Sequence, residues 1–310
     1  MDVILLGAGA SHGSKSTTPH TPPLGNGPAG LFYELTKFSA YFANLPKQYH
    51  EIFINDFELG MATFLEENRE LRDFGLEIAV AQYFAQFQPK LGNLYLTLIR
   101  FVDTRKLVFT SLNYDMLFEL AAGKGGYHCA YGYAKHEDEI SFIKPHGSCN
   151  FWPSEQVNLS NLKIKFHEPL GSAQVIKTPV DPICDFNENQ EIARRSKTPP
   201  AMSYYAPGKK VNVGADFVKY QRDLWTDACQ NANTIYVIGT KISKVDDHIW
   251  DSIATAKAKL VYFAYSEHDT IEANEWLQSN GRKNAEIVSN ADFLASINRL
   301  IRDHPKIKQP

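Results

Sequence analysis

Three short stretches of the chain place small or polar residues directly after an apolar run. They are DVILLGAGASHGSKST at residues 2–17, FTSLNYDMLFE at residues 109–119 and IKPHGSCNFW at residues 143–152. A glycine turn between a strand and a helix lets backbone N–H groups approach a phosphate. A histidine at a strand end can exchange a proton, because imidazole titrates near neutral pH. The stretches therefore predict a nucleotide site with acid–base chemistry.

The glycine turn departs from the two common nucleotide-binding fingerprints. In the dinucleotide pattern G-x-G-x-x-G, Gly7 and Gly9 fit, but His12 stands at the third glycine position. The segment 9–16, GASHGSKS, has a serine before Lys15 where the P-loop requires a glycine. Both a hydride-transferring dehydrogenase and a P-loop NTPase are therefore disfavoured.

Each polar stretch also has a plain structural interpretation. The glycine turn can bind nothing, Asn113 or Asp115 can cap the helix that follows, and His146 can be a structural histidine. Further along the chain, Asp246 and His248 have two interpretations, a polar pair near the pocket or the solvated start of a helix, and the second is favoured.

Short apolar runs predict the strands that position these residues. Most are apolar throughout, which is typical of strands buried on both faces of a parallel sheet. Amphipathic helical patterns lie between many of them, so we predict an α/β fold with a Rossmann-like, doubly wound parallel sheet. The predicted strands cover residues 3–7, 106–115, 140–148, 234–240, 259–266 and 285–289, and the predicted helices cover residues 57–87, 91–102, 216–232 and 246–258.

We expect a single domain over residues 1–310. Its Rossmann-like core covers about residues 1–30, 103–150 and 230–290. Residues 31–102 are more than one crossover helix needs, which predicts a helical insertion. Residues 151–215 are rich in Pro, Asn, Lys and Ser and predict an irregular region over the site.

Composition favours a cytoplasmic protein. The net charge of −3 carries no direct sign of a nucleic-acid partner, and the four cysteines form no C-x-x-C pair. No apolar run reaches the roughly 18–20 residues of a membrane helix, and the first residues lack the pattern of a signal peptide.

Four motifs in this order resemble the sirtuins. The family's G-A-G-x-S, T-Q-N-x-D, H-G and G-T-S patterns correspond to GAGAS (7–11), TSLNYD (110–115), HGS (146–148) and VIGTK (237–241). The second motif is one residue longer than in the family, and the two C-x-x-C pairs of the sirtuin zinc module are missing. The chain is therefore sirtuin-like without the zinc module, and it resembles the divergent bacterial branch that commonly destroys NAD, often in anti-phage defence.

The resemblance implies that NAD is the substrate and that no metal is needed. It implies an NAD⁺ glycohydrolase that releases nicotinamide and ADP-ribose. The implied catalytic residues are His146 as a base, Asn113 toward the nicotinamide ribose or the attacking water, and Asp115 toward the carboxamide or orienting Asn113. The implied NAD-binding residues are Gly7, Ala8, Gly9, Ala10, Ser11, Ser111, Gly239, Thr240 and Ser266.

Two other functions stay open. An NAD-dependent protein deacylase or ADP-ribosyltransferase is disfavoured by the missing zinc module and peptide clamp. A non-enzymatic NAD- or ADP-ribose-binding subunit of a larger complex is disfavoured by the intact Asn113, Asp115 and His146. Because free NAD hydrolysis would kill the host, we expect control by homo-oligomerisation or by a separate activating protein of ATPase or Argonaute type, and no membrane partner.

Overall fold

Apolar strands form the centre of the molecule, and the computed structural model describes residues 1–68, 74–154, 177–203 and 211–306. The strands are β1 (Asp2–Leu6), β2 (Thr17–Thr18), β3 (Gln88–Pro89), β4 (Leu107–Ser111), β5 (His128–Cys129), β6 (Glu139–Ile143), β7 (Phe151–Pro153), β8 (Val180–Pro182), β9 (Thr234–Ile238), β10 (Lys259–Phe263) and β11 (Ala285–Val288). The main sheet has seven strands in the order β11-β10-β9-β1-β4-β6-β5. Its neighbouring pairs are parallel.

Helices cover both faces of this sheet. They are α1 (Ala8–His12), α2 (Leu31–Phe38), α3 (Ala40–Ala43), α4 (Lys47–Asn55), α5 (Phe57–Glu67), α6 (Gly75–Ala85), α7 (Leu94–Phe101), α8 (Leu117–Lys124), α9 (Phe186–Arg195), α10 (Ala215–Asn231), α11 (Asp247–Thr255), α12 (Glu267–Ser279) and α13 (Phe293–Asp303). The predicted Rossmann-like α/β fold with a parallel sheet is confirmed.

The central strand β1 is buried on both sides, which explains why its sequence does not alternate. Val3 and Leu5 pack into one core with Trp225 of α10. Ile4 and Leu6 point to the other face, into a core that also contains α7 and α8. Successive side chains of a strand point to opposite faces, so both must be apolar when helices cover both.

The direction of the chain across the sheet reverses beside β1. From β1 the chain reaches β4 and β6 on one side, and it then returns to β9 on the other side before continuing to β10 and β11. The carboxyl ends of β1 and β9 therefore flank a topological switch point, where open α/β sheets bind ligands.

The predicted helical segments differ from the observed ones in two places. The pattern over residues 57–87 is not one helix, because α5 ends at Glu67 and α6 begins at Gly75. Within residues 151–215, the prediction missed the ten-residue helix α9, whose first turn is capped by Asp185. Residues 155–176 and 204–210 lie outside the described residues.

Several predicted strands end earlier than expected. The segment 106–115 forms a strand only over Leu107–Ser111, and the segment 140–148 only as far as Ile143. The polar residues that follow belong to loops, which carry the candidate site. Among the described residues, none of the helices has the length and apolar character that crossing a membrane requires.

Candidate functional site

The glycine turns after β1 and β9 interlock at the switch point. The Gly7 N–H donates to the carbonyl of Ile238 at 2.9 Å, and the Gly9 N–H donates to the carbonyl of Gly239 at 2.7 Å. Gly239 has a φ of +68°, and a Cβ there would collide with the backbone nitrogen of Ala10. Glycine is needed here by conformation and by space.

These contacts change the interpretation of the first motif. The N–H groups of Gly7 and Gly9 donate across the turns, and that of Ala10 donates to the Gly7 carbonyl at 2.9 Å. All three are therefore engaged within the protein rather than held ready for a pyrophosphate. Ala8, the first residue of the five-residue helix α1, is exposed at the mouth of the turn.

Asn113 ties the second motif to the first. Its Nδ2 donates to the Gly7 carbonyl at 2.9 Å and to the Ser11 hydroxyl at 2.8 Å. Its backbone N–H donates to the Ser111 hydroxyl at 3.1 Å. Both amide hydrogens are thus used inside the protein, which leaves Oδ1 as the atom of this side chain that a ribose hydroxyl or a water could bind.

A tyrosine from the predicted insertion completes this network. The Ser11 hydroxyl shares a hydrogen bond of 3.1 Å with the hydroxyl of Tyr95, which lies on α7 and is buried. Burial raises the pKa of the Tyr95 phenol, so this group stays protonated. No local pattern in the sequence indicates this contact, because 84 residues separate the two side chains.

Asp115 lies at the start of α8, where it serves partly as a cap. Its Oδ1 accepts from the Leu117 N–H at 2.9 Å, in agreement with the plain structural interpretation. Burial raises the pKa of this carboxyl, and the nearby Lys144 ammonium offsets part of the rise. Asp115 is buried, with 5% of the residue exposed, so little of it is open to a ligand.

A buried lysine, which the sequence interpretation overlooked, connects the second and third motifs. Lys144 is 0% exposed, and its Nζ donates to Glu119 Oε1 at 2.8 Å. It also donates to the Asp115 carbonyl and to the Ser148 hydroxyl, both at 2.7 Å. Its position between the apolar strand ISFI and the Pro-His-Gly turn was the available signal.

The loop that carries His146 is fixed on both sides. Gly147 has a φ of +76°, and a Cβ there would collide with the carbonyl of Ala201. The Ser203 N–H donates to the His146 carbonyl at 2.8 Å. Arg222 of α10 donates to the Pro145 carbonyl at 3.1 Å. The imidazole is therefore held by a rigid backbone rather than by a mobile loop.

The side chain of His146 meets two residues that follow β9. Its Nε2 lies 3.2 Å from His248 Nε2 and 3.3 Å from Asp246 Oδ1. Asp246 ends a 3-10 helix at Lys244–Asp246, and His248 lies in the first turn of α11. A helix does begin in this segment, as the favoured interpretation expects, but Asp246 and His248 are half-buried against His146 rather than solvated.

This contact spans the site. Strands β6 and β9 are separated by β1 and β4, so three strand spacings of about 4.8 Å, or about 14 Å in total, lie between them. The segment after β9 therefore reaches across the ends of β1 and β4 to meet His146. The Ser11–Asn113 network lies at the same edge of the sheet.

The remaining predicted residues lie farther along this edge. The Thr240 carbonyl accepts from the Tyr262 hydroxyl at 3.0 Å, beside Gly239. Ser266 follows β10 and caps α12: its hydroxyl accepts from the Asp269 N–H at 3.1 Å, and Asp269 Oδ2 accepts from the Ser266 N–H. The Ser266 side chain is therefore engaged in a capping box at the start of α12.

Most of the predicted site is thus one assembly at the carboxyl edge of the sheet. The glycine turn, Ser11, Ser111, Asn113 and Gly239 are joined by direct hydrogen bonds. Lys144, two residues before His146, donates to the Asp115 carbonyl, whereas Ser266 lies two strands away from β1. No protein-family model and no curated protein matches the chain.

Proposed function

We propose that the chain is an NAD⁺ glycohydrolase, which cleaves the bond between nicotinamide and ribose to give nicotinamide and ADP-ribose. The observation that carries the proposal is the double hydrogen bond from Asn113 Nδ2 to Gly7 and Ser11. It links the first two motifs of the sirtuin resemblance at a topological switch point, the usual place for a nucleotide.

The chemistry asks little of the protein beyond orientation and charge stabilisation. As the carbon–nitrogen bond breaks, its electron pair goes to the pyridinium nitrogen, which becomes neutral. Positive charge then develops on the ribose, as in glycoside hydrolysis. A water oxygen bonds to the anomeric carbon and gives up one proton. Fixed dipoles aimed at the ribose favour this transition state.

The buried polar groups fit these tasks. Asn113 Oδ1 can accept a hydrogen bond from the nicotinamide ribose or from the attacking water, since both amide hydrogens are held by the turn. His146 would take up the proton as general base. Asp246, 3.3 Å from its Nε2, favours the imidazolium that forms. Asp115 would hold the carboxamide or orient Asn113.

The same resemblance supports a wider biological proposal. We place the enzyme in the cytoplasm as an NAD-depleting effector of anti-phage defence, controlled by homo-oligomerisation or by a separate activating protein of ATPase or Argonaute type. The effector role and its control depend on the family resemblance alone, and the cytoplasmic placement depends on composition.

The test follows nicotinamide and ADP-ribose by chromatography after incubation of purified chain with NAD, with NAD binding measured calorimetrically on the same samples. We expect release by the wild type and its loss in His146→Ala and Asn113→Ala. His136→Ala, at an exposed histidine in a turn, is the matched control and should keep full activity.

Other results separate the alternatives. Binding of NAD without release would favour the NAD- or ADP-ribose-binding subunit. Release that depends on an acylated peptide, or ADP-ribose that ends on protein, would favour the deacylase or the transferase. Absence of both binding and release would overturn the proposal.

A further inference from the structure

Three potential metal ligands converge where the segment after β9 meets the His146 loop. The Nε2 of His146, the Oδ1 of Asp246 and the Nε2 of His248 all lie within 4.8 Å of one another. We propose that these three atoms bind a divalent transition-metal ion of the zinc class, and that bound metal inhibits the enzyme.

The distances already approach those of a metal site. A tetrahedral zinc ion with bonds of about 2.0–2.1 Å holds neighbouring ligand atoms about 3.3 Å apart. His146 Nε2 lies 3.2 Å from His248 Nε2 and 3.3 Å from Asp246 Oδ1. Two of the three ligand-to-ligand distances therefore fit without a change of conformation.

The ligand types select the metal. Two imidazole nitrogens and one carboxylate oxygen suit zinc and its neighbours, whereas magnesium and calcium prefer oxygen ligands. Three protein ligands leave a fourth position for water, as in open zinc sites.

The backbone that carries the three ligands is held in place, both at the His146 loop and at the start of α11. His146 follows β6 on a loop fixed by Gly147, Ser203 and Arg222. Asp246 and His248 lie on consecutive helical segments at the start of α11. A metal ion would link the end of β6 to the segment after β9, across the mouth of the crevice.

The inhibitory effect rests on the proposed function. A metal ion on His146 Nε2 occupies the lone pair that this nitrogen would use as a base. It also fixes the segment that lies over the ends of β1 and β4. Metal binding and NAD cleavage should therefore exclude each other.

The binding test uses the full chain without an affinity tag, treated with chelator and titrated with Zn²⁺ by calorimetry. We expect one high-affinity equivalent per chain, and a loss of affinity of about tenfold or more in His248→Ala and in Asp246→Asn. His136→Ala should bind as the wild type does. Mg²⁺ should give no heat.

A second readout guards against misfolded variants. Bound Zn²⁺ should raise the melting temperature of the wild type, because a ligand that binds only the folded state stabilises it. The two ligand variants should melt cooperatively without that rise. Wild-type affinity in His248→Ala, or no Zn²⁺ binding by the wild type, would overturn the site.

The activity readout separates this proposal from the proposed function. Loss of nicotinamide release on addition of Zn²⁺, and insensitivity of residual activity in His248→Ala, would support inhibition. Full release with Zn²⁺ bound would overturn inhibition and leave the site intact. A chain that binds Zn²⁺ but never binds or cleaves NAD would overturn the proposed function and the inhibition that rests on it, and would leave the metal site intact.

Discussion

Lys144 holds two of the site's loops through one buried ammonium group. It contacts the backbone beside Asp115, the Ser148 hydroxyl and the Glu119 carboxylate. A buried charge is tolerated only when partners replace its water, so these contacts act as a unit. The relative position of the second and third motifs therefore depends on Lys144, which is not one of the proposed catalytic residues.

We expect Lys144→Met to lower the free energy of unfolding by about 3–5 kcal/mol, because it leaves the Glu119 carboxylate buried without its ammonium partner. Adding Glu119→Gln should recover part of the loss, since the buried charge is then gone. Urea denaturation of the wild type, both single variants and the double variant measures this coupling. Strictly additive effects would contradict it.

At the scale of elements, the interlocked turns after β1 and β9 set the shape of the crevice. The two chains approach so closely that Gly9 donates to Gly239 at 2.7 Å. The candidate site therefore tolerates no side chain on the inner surface of these turns.

Gly239→Ala should destabilise the protein by more than Gly281→Ala. Both glycines have a positive φ, +68° and +62°, so both variants carry the same backbone strain of about 1 kcal/mol. Only the Cβ at Gly239 meets other atoms, whereas that at Gly281 meets nothing within 4 Å. Thermal unfolding measures the loss of stability in each variant, and NAD binding measures the damage to the crevice. Equal melting temperatures of Gly239→Ala and Gly281→Ala would contradict the steric account.

The strands could be predicted from sequence because burial on both faces requires continuous apolar runs. The runs at residues 3–7, 234–240 and 259–266 each overlap an observed strand over most of its length. Strand ends were less predictable, because polar residues after an apolar run can either continue the strand or begin a loop.

The contact of Asp246 and His248 with His146 could not be predicted in this way. The local sequence of a helix start looks the same whether it faces water or a histidine about 100 residues away in the chain. Lys144 was missed for a related reason, because lysine is rarely buried and its partners come from other elements.

At the scale of the whole molecule, two cores share one sheet. The core on one face packs the helices from α2 through α8 against the sheet. The core on the other face includes α10 and α11. At the sheet edge, Glu286 of β11 binds Lys259 of β10 at 2.6 Å and Arg299 of α13 at 2.7 Å. This ion network joins the last strand to the last helix.

The network should make stability depend on pH. Hydrogen bonds from Arg299 and Lys259 lower the pKa of Glu286 from 4.5 to about 2. A carboxyl with a lowered folded-state pKa stabilises the fold above its unfolded value and loses this effect as the pH falls toward 2. We expect Glu286→Gln to lower the free energy of unfolding by about 1 kcal/mol at pH 7, because solvent screens the ion pairs. Below pH 4.5 the loss should be smaller.

Urea denaturation at pH 7 and at pH 3.5 measures the difference. Glu275→Gln, at an exposed position on α12, is the control. Its difference in unfolding free energy from the wild type should not shrink between pH 7 and pH 3.5. If the wild type is more stable than Glu286→Gln by the same free energy at both pH values, Glu286 is not the source of the pH dependence.

The position of β1 between β4 and β9 also governs when the protein can become active during its synthesis. The ribosome makes β1 first, but its neighbour β9 follows only after residues 107–111 and the long segment up to Thr234. At about 5–20 residues per second, the edge of β1 that pairs with β9 stays unpaired for roughly 11–46 s. The switch-point crevice closes only when β9 arrives. A nascent chain therefore cannot form the crevice before Thr234–Ile238 has been translated.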